Sequence, residues 1–263
     1  MTGPGSPPTL PDSWHPPQQE PGQGDSVRGD PDQQESDPGP DGSAFVGRRL
    51  VGDEHLPEWM HGLVAHIDGS PLPGPIRSLA SLAPPGAKHS SVLMLLGDGP
   101  AGPDLLLTAR AATLRSHAGQ PAFPGGRNDP GEDAVTAALR EGEEETGLQP
   151  STVVPAALLP DLYLPPSGYL VCPVLAYWRE PGEVGPVDPR ETAAVARVPI
   201  SELVDPANRG RVRHPGGYVG PAFRVADLLV WGFTAGLVDI LLTLGGWALP
   251  WDEENYFDLA DLG

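Results

Sequence analysis

Between Ala134 and Gly147 the chain reads AVTAALREGEEETG, with five charged residues inside six positions: Arg140, Glu141, Glu143, Glu144 and Glu145. No other segment constrains the fold as much. Wound as a helix at about 100° per residue, with Glu141 at zero, Glu145 lies near ~40° and Glu144 near ~300°. Those three carboxylates share one sector. Val135, Ala138, Leu139, Gly142 and Thr146 fall between about 60° and 160°, a face suited to packing on a sheet. Glu143 points away, at about 200°. The spacing predicts a helix over 132–145, ended by Gly147 in the left-handed conformation.

Like charges on one sector repel, each i,i+4 pair costing a few tenths of a kcal/mol. They also sit at the helix C-terminus, where the macrodipole disfavours anions. A purely structural helix gains nothing from this arrangement. A solvated acidic face is the plain alternative. A hard divalent cation removes both penalties, and an all-oxygen donor set suits Mg2+ or Mn2+.

Charge and composition narrow the classes further. Sixteen Lys and Arg against 35 Asp and Glu give a net charge of −19, which argues against sequence-independent nucleic-acid binding and against an anionic membrane surface. The single cysteine, Cys172, excludes an internal disulfide and any multi-cysteine metal site. It fits a reducing cytoplasm, and its apolar neighbours place it in the core. The amino-terminal stretch has no basic region followed by an apolar one, so no secretory signal is expected. Leu228–Pro250 approaches membrane-spanning length but carries Asp239 at its middle. A mid-bilayer Asp costs roughly 2.5–3.5 kcal/mol, so the stretch reads as a buried helix plus turn.

Three regions follow. Residues 1–44 form a Pro/Gly/acidic tail: the first 42 hold ten Pro, seven Gly and eight acids, and such a segment is expected to be disordered. Residues 45–250 form the folded domain, and 251–263 an acidic C-terminal tail. Within the domain, 56–69 reads as an amphipathic helix with Trp59, Leu63 and Ile67 on one face. Strands are expected at 91–96, 104–110, 153–159, 169–178 and 193–200, with a short helix at 201–204 and a last helix within 228–244. The irregular alternation points to an α/β fold, a mixed sheet covered by helices.

The acidic helix sits inside a longer pattern. Gly126, five residues, Glu132, seven residues, then Arg140-Glu141-Gly142-x-Glu144-Glu145-x-Gly147-Leu148 resembles the Nudix hydrolase box. Gly142 departs from it, standing where the family usually has an aliphatic or small residue. Upstream, LLLTAR…LRSHAGQPAFPGG resembles the extended motif of the coenzyme A pyrophosphatase branch, as do LPPSGYLVCPVLAYW and WGFTAG downstream. The resemblance covers roughly residues 55–245. It implies a Nudix fold, an α/β/α sandwich around a mixed β-sheet. It also implies a Mg2+- or Mn2+-dependent diphosphatase acting on coenzyme A or an acyl derivative.

Site residues follow from the same resemblance. Glu141 and Glu145 are expected metal ligands, with Glu144 an additional ligand and a catalytic residue. Arg140 is expected to orient the glutamates, and Glu132 to satisfy free N–H groups or pair with a cation. Gly125 and Gly126 would offer a carbonyl or approach substrate closely. Arg110, Arg115, His117 and Arg127 would meet phosphates, and Glu191 resembles the acid that serves as base. The partner implied is a small-molecule nucleotide, with no nucleic acid and no membrane; a homodimer stays open. The same chemistry on ADP-ribose, NADH or a nucleoside triphosphate is the first alternative. A catalytically idle nucleotide-binding module is the second.

Overall fold

The structure, a computed structural model, describes residues 46–70, 72, 79, 83–111, 119–165, 167–214 and 216–259. The expected tail at 1–44 and the candidate residues Arg115 and His117 lie outside them. In chain order the elements are β1 (Arg48–Arg49), α1 (Glu58–Ile67), β2 (Lys88–Gly99), β3 (Gly102–Arg110), β4 (Pro121–Ala122) and β5 (Gly125–Arg127). There follow α2 (Ala134–Thr146), β6 (Val153–Leu158), β7 (Leu162–Leu164), β8 (Tyr169–Trp178), β9 (Thr192–Pro199) and α3 (Ile200–Val204). The chain continues with β10 (Arg209–Arg213), β11 (Val219–Val225), β12 (Leu228–Val230), α4 (Gly232–Leu244) and β13 (Tyr256–Phe257).

The main sheet is mixed, in the order β1-β6-β8-β2-β3-β4, with β5 also on β2, β7 on β8 and β9 on β3. Its two faces are set by strand alternation. Leu93 and Leu95 of β2 meet Leu106, Val174, Ala176 and the α2 residue Ala138 on one side. Met94 and Leu96 meet α1 (Met60, Leu63, Val64, Ile67) and α4 (Leu237, Val238, Leu241) on the other. The expected α/β/α sandwich is therefore present. α4 is buried along much of its length, and no helix among the described residues is long and apolar enough to cross a membrane.

The sheet is split where the site lies. β2 and β8 run parallel from Lys88/Tyr169 to Gly97/Trp178, but β2 and β3 pair only at their hairpin end, Leu96–Gly99 with Gly102–Leu105. Below that, β3 takes β4 at Thr108 and Ala109, while the edge of β2 at Ser90–Val92 is taken by β5; β9 runs along the far edge of β3. The Gly125–Arg127 segment thus occupies the fork between β2 and β3, with α2 packed across it.

α2 begins two residues later than the sequence suggests because Asp133 caps it, its side chain accepting from Thr136 N–H at 2.9 Å. Gly147, at φ 73°, ends it as expected. Ala138, Gly142 and Thr146 are buried as the packing face requires, and Ala137 is buried too. Gly142 is a close-approach residue: a Cβ there would lie 2.9 Å from Leu93 Cδ2 and 3.2 Å from Leu148 Cδ2. Both are flexible side-chain ends. Gly142→Ala should gain about 1 kcal/mol of helix propensity against a similar overpacking cost. Thermal melts should show a net change of at most about 1 kcal/mol, and a loss above ~3 kcal/mol would mean that the Leu pair cannot yield.

A second sheet, β12-β11-β10-β13, was not legible in the sequence. Asp239 of α4, whose charge argued against a membrane span, pairs here with Arg209. Arg209 is 2 % exposed and lies between the rings of Phe223 (5.0 Å) and Trp251 (4.8 Å). Residues 251–257 are tied to β10: Asn255 O accepts from Arg211 N–H at 2.8 Å, and Asn255 Nδ2 donates to Arg209 O at 2.8 Å.

Candidate active site

The site grows from the fork outward. Gly126 faces α2 so closely that a Cβ would stand 2.5 Å from Glu141 Cδ. Gly125 is closed on its other side, where a Cβ would lie 2.5 Å from Ser91 O and 2.8 Å from Val92 Cα. At Gly125 the obstacle is fixed backbone, whereas at Gly126 it is the movable end of the Glu141 side chain. Beyond them, buried Ser91 donates to Asn128 Oδ1 at 2.9 Å, and Asn128 N–H donates to His89 O at 3.2 Å. These bonds lock the turn leading from β5 to α2. Ser91 and Asn128 were not singled out from sequence, since a serine in an apolar strand gives no signal.

Arg140 is the hub. Its Nε and Nη2 donate to the two Glu132 oxygens, each at 3.0 Å, in the bidentate fork of a guanidinium on a carboxylate. Nη2 also donates to Arg127 O at 3.0 Å, while Nη1 reaches Glu141 Oε1 at 2.8 Å and Glu144 Oε2 at 3.3 Å. Glu132 also accepts from Asp129 N–H at 2.8 Å. Arg140, then the Asp129 N–H, holds the Glu132 carboxyl below the usual range. One guanidinium so fixes the loop, the start of α2 and the first acid of its charged sector.

The carboxylates sort themselves by burial. Glu143 and Glu144 are exposed, the Glu144 side chain by 59 %, whereas Glu141 is 16 % exposed and Glu145 is half-buried. Burial raises the Glu141 pKa, with the charges of Glu144 and Glu132 adding and Arg140 opposing. Glu145 is pushed up to about 7, first by burial and next by the charge of Glu141, with Glu191 adding a smaller push. Arg110 and a hydrogen bond from the Gly125 N–H pull it back. Glu145 thus feels the charges of Glu141, Arg110 and Glu191, and Gly125 and Gly126 lie against Glu145 and Glu141. Arg127 is exposed and lines a different cleft of about 660 Å³, with Lys88, Ser90, Asn128 and Asp161, which none of the α2 glutamates 141–145 line. Cys172 also lines that cleft and is only partly buried, not fully in the core as expected. Burial and then the nearby Asp161 charge raise its thiol pKa well above the ordinary value, which favours the protonated thiol.

Among the described residues, no three His, Cys, Asp or Glu side chains already converge as a closed metal cage. The donor chemistry nonetheless fits a hard divalent cation. Two half-buried carboxylates with raised pKa values stand one helical turn apart and offer oxygen donors. Burial raises both first and neighbouring carboxylate charges add to it, and a bound cation would favour the charged form of each.

Comparison with known proteins shows the family. The NUDIX domain family model matches residues 87–217. The chain is 38% identical over 160 residues to a protein of Photorhabdus laumondii named "Uncharacterized Nudix hydrolase NudL", covering 57% of this chain and 81% of that one. The protein of the same name from Escherichia coli K12 is 38% identical over 157 residues, covering 54% and 76%. Among solved structures, a NUDIX hydrolase from Alicyclobacillus acidocaldarius is 16% identical with a TM-score of 0.40, over 62% of this chain and 93% of that one. With its box glutamates on α2 and its glycines in the fork of the sheet, the chain belongs to the Nudix hydrolase family.

Proposed function

We propose that this protein is a divalent-metal-dependent diphosphatase that hydrolyses the pyrophosphate bond of coenzyme A or acyl-coenzyme A. The products are 3',5'-ADP and 4'-phosphopantetheine, acylated where the substrate was. The observation that carries the reading is the Glu141–Glu145 pair, half-buried against the Gly125–Gly126 fork and within the charge field of Arg110. The coenzyme A assignment rests on the resemblance of the segment 105–126 to that branch.

Each residue has a task the geometry allows. Glu141 and Glu145, with exposed Glu144 able to join them, would hold Mg2+ or Mn2+. Bound there, the ion supplies charge neutralisation at the phosphates and a lower pKa for the attacking water. Arg140 orients Glu141 and Glu144 and has no hydrogen-bonding capacity left over for substrate, its three nitrogens being engaged. Arg110 supplies positive charge at the fork to offset the carboxylates that an anionic diphosphate would meet there. Glu191 takes the water's proton, and water adds to phosphorus as the bridging P–O bond breaks. A small nucleotide is the only partner this scheme needs, and a lone protonated thiol at Cys172 suits the cytoplasm.

The test is a turnover screen with Mg2+ and Mn2+ against coenzyme A, ADP-ribose, NADH and dGTP, with products identified by mass. Coenzyme A should be preferred. A cation that reads the 3'-phosphate should make kcat/KM for coenzyme A at least roughly tenfold higher than for dephospho-coenzyme A, since a charge-assisted hydrogen bond contributes about 1.5–3 kcal/mol. Equal values would remove the physical basis of the coenzyme A assignment. Preference for ADP-ribose, NADH or dGTP would move the enzyme to another substrate class, and no turnover at all would favour a binding module.

A further inference from the structure

Glu191 ends the segment 179–191 that joins β8 to β9, and the stretch 185–191 of this segment is fastened at both of its ends. At one end, Gly185 N–H donates to Thr146 O at 3.0 Å and Val187 N–H donates to Glu145 O at 3.3 Å. Those acceptors belong to the last turn of α2, whose carbonyls have no partner within the helix. At the other end, Ala111 N–H donates to Glu191 O at 2.8 Å, and the next residue, Thr192, is buried.

Between the two fastenings the chain turns on Asp188. Its carbonyl accepts from Glu191 N–H and Thr192 N–H, both at 3.0 Å. Its carboxylate accepts from Arg190 N–H at 2.9 Å, from Arg190 Nε at 2.9 Å and from Nη2 at 2.6 Å. The Arg190 side chain is 88 % exposed, so this lock belongs to the turn and not to the core. Exposed pairs of this kind contribute little to global stability. A lock that adds little to stability, placed three residues before Glu191, is suited to fixing where Glu191 stands.

We propose that Asp188 is a positioning residue: by ordering the 188–192 turn it holds Glu191 beside Glu145 in the orientation the reaction uses. This rests on the diphosphatase reading above and on Glu191 as its base. The sidedness is specific. Val187 hangs from the backbone of Glu145 while Glu191 hangs from Ala111, directly after Arg110, so the Asp188 turn sets the span between the two sides of the fork. Displacing a reacting group by ~1 Å costs up to about 10²-fold in rate.

The test combines hydrogen–deuterium exchange with a double-mutant cycle in the full chain. In Asp188→Ala, the amides of Val187, Glu191 and Thr192 should exchange faster while those of β2 and β8 do not change. With Mg2+ and the best-cleaved of the four screening substrates, Asp188→Ala should lower kcat about tenfold with little change in KM. Asp188→Asn, which keeps an oxygen for the Arg190 N–H, should recover most of that loss. In a Glu191→Gln background, Asp188→Ala should add no further loss, because the group it positions is already gone. Unchanged exchange, or an equal kcat loss in both backgrounds, would overturn the proposal. If Glu191→Gln alone left kcat at the parent value, Asp188 would have nothing to position and the proposal would fall, while the Glu141 and Glu145 variants still judged the diphosphatase reading. If the parent cleaved none of the substrates, both would fall.

Discussion

Replacing Glu145 by Gln should lower turnover by about 10²–10⁴-fold, and Glu141→Gln should do the same, the range for losing a metal ligand or a base. Each change removes one charge from the half-buried sector and keeps side-chain size. Glu143→Gln makes the same chemical change on the exposed side of α2 and should stay within a few-fold of the parent. Stability should move the other way. The Glu145 carboxyl is raised from 4.5 to about 7 in the folded protein, chiefly by burial and then by Glu141. A folded-state pKa above the unfolded one means that its contribution to stability is complete below pH 4.5 and is lost as pH rises through about 7. Without metal, Glu145→Gln should therefore be more stable than the parent at pH 8, by on the order of 1–3 kcal/mol. The difference should shrink towards pH 4.5, where Glu145 is protonated in both states. Thermal melts of the metal-free proteins at the two pH values check this. A variant that lost activity together with stability at pH 8 would point to a structural role.

The adjacent glycines should separate activity from folding. Gly126→Ala drives a methyl group against the Glu141 carboxyl, a flexible side chain that can swing away. That movement breaks the 2.8 Å bond to Arg140 Nη1 and withdraws Glu141 from the fork. Activity should fall about 10²-fold, with the melting temperature within a few degrees of the parent. Gly125→Ala drives its methyl group against the backbone of β2 at Ser91 and Val92, which cannot swing away. It should cost about 1–3 kcal/mol, or roughly 3–10 °C for a domain of this size. If both substitutions lowered stability alike and activity only in proportion, Gly126 would be a packing glycine and not a spacer for Glu141.

Much of this fold was legible from periodicity because its elements are long and amphipathic. The apolar run at 169–178 is β8 to the residue, and α1 buries Leu63 and Ile67 as its spacing requires. The second sheet was not legible. Its strands RGRVR and VGPAFRV are short and rich in arginine and glycine. They become strands because Arg209 stacks between two aromatic rings and finds Asp239, a contact 30 residues away that no local pattern announces. Helical geometry placed Glu141 and Glu145 together, but not their burial relative to Glu144, which depends on the fork of β2 and β3. Arg127 was grouped with the phosphate cations because it follows the glycines. It is the Arg127 carbonyl that belongs to the Arg140 network, while its side chain lines the neighbouring cleft. The segment DPRE carries a turn signal, an Asp two residues before an N–H it can accept from.

The central claim is that the Glu141–Glu145 sector binds a divalent cation. It is tested most directly by the melting temperature of the metal-free parent, Glu141→Gln and Glu145→Gln as Mn2+ is added at pH 8. Binding to the folded state stabilises by mass action, about 2.7 kcal/mol at a hundred times Kd. For the parent this should appear as a saturating rise of roughly 5–11 °C, with little or no rise in either variant over the same concentrations. Equal rises in all three proteins would place the ion elsewhere, and a flat parent curve would leave the acidic sector as a solvated face.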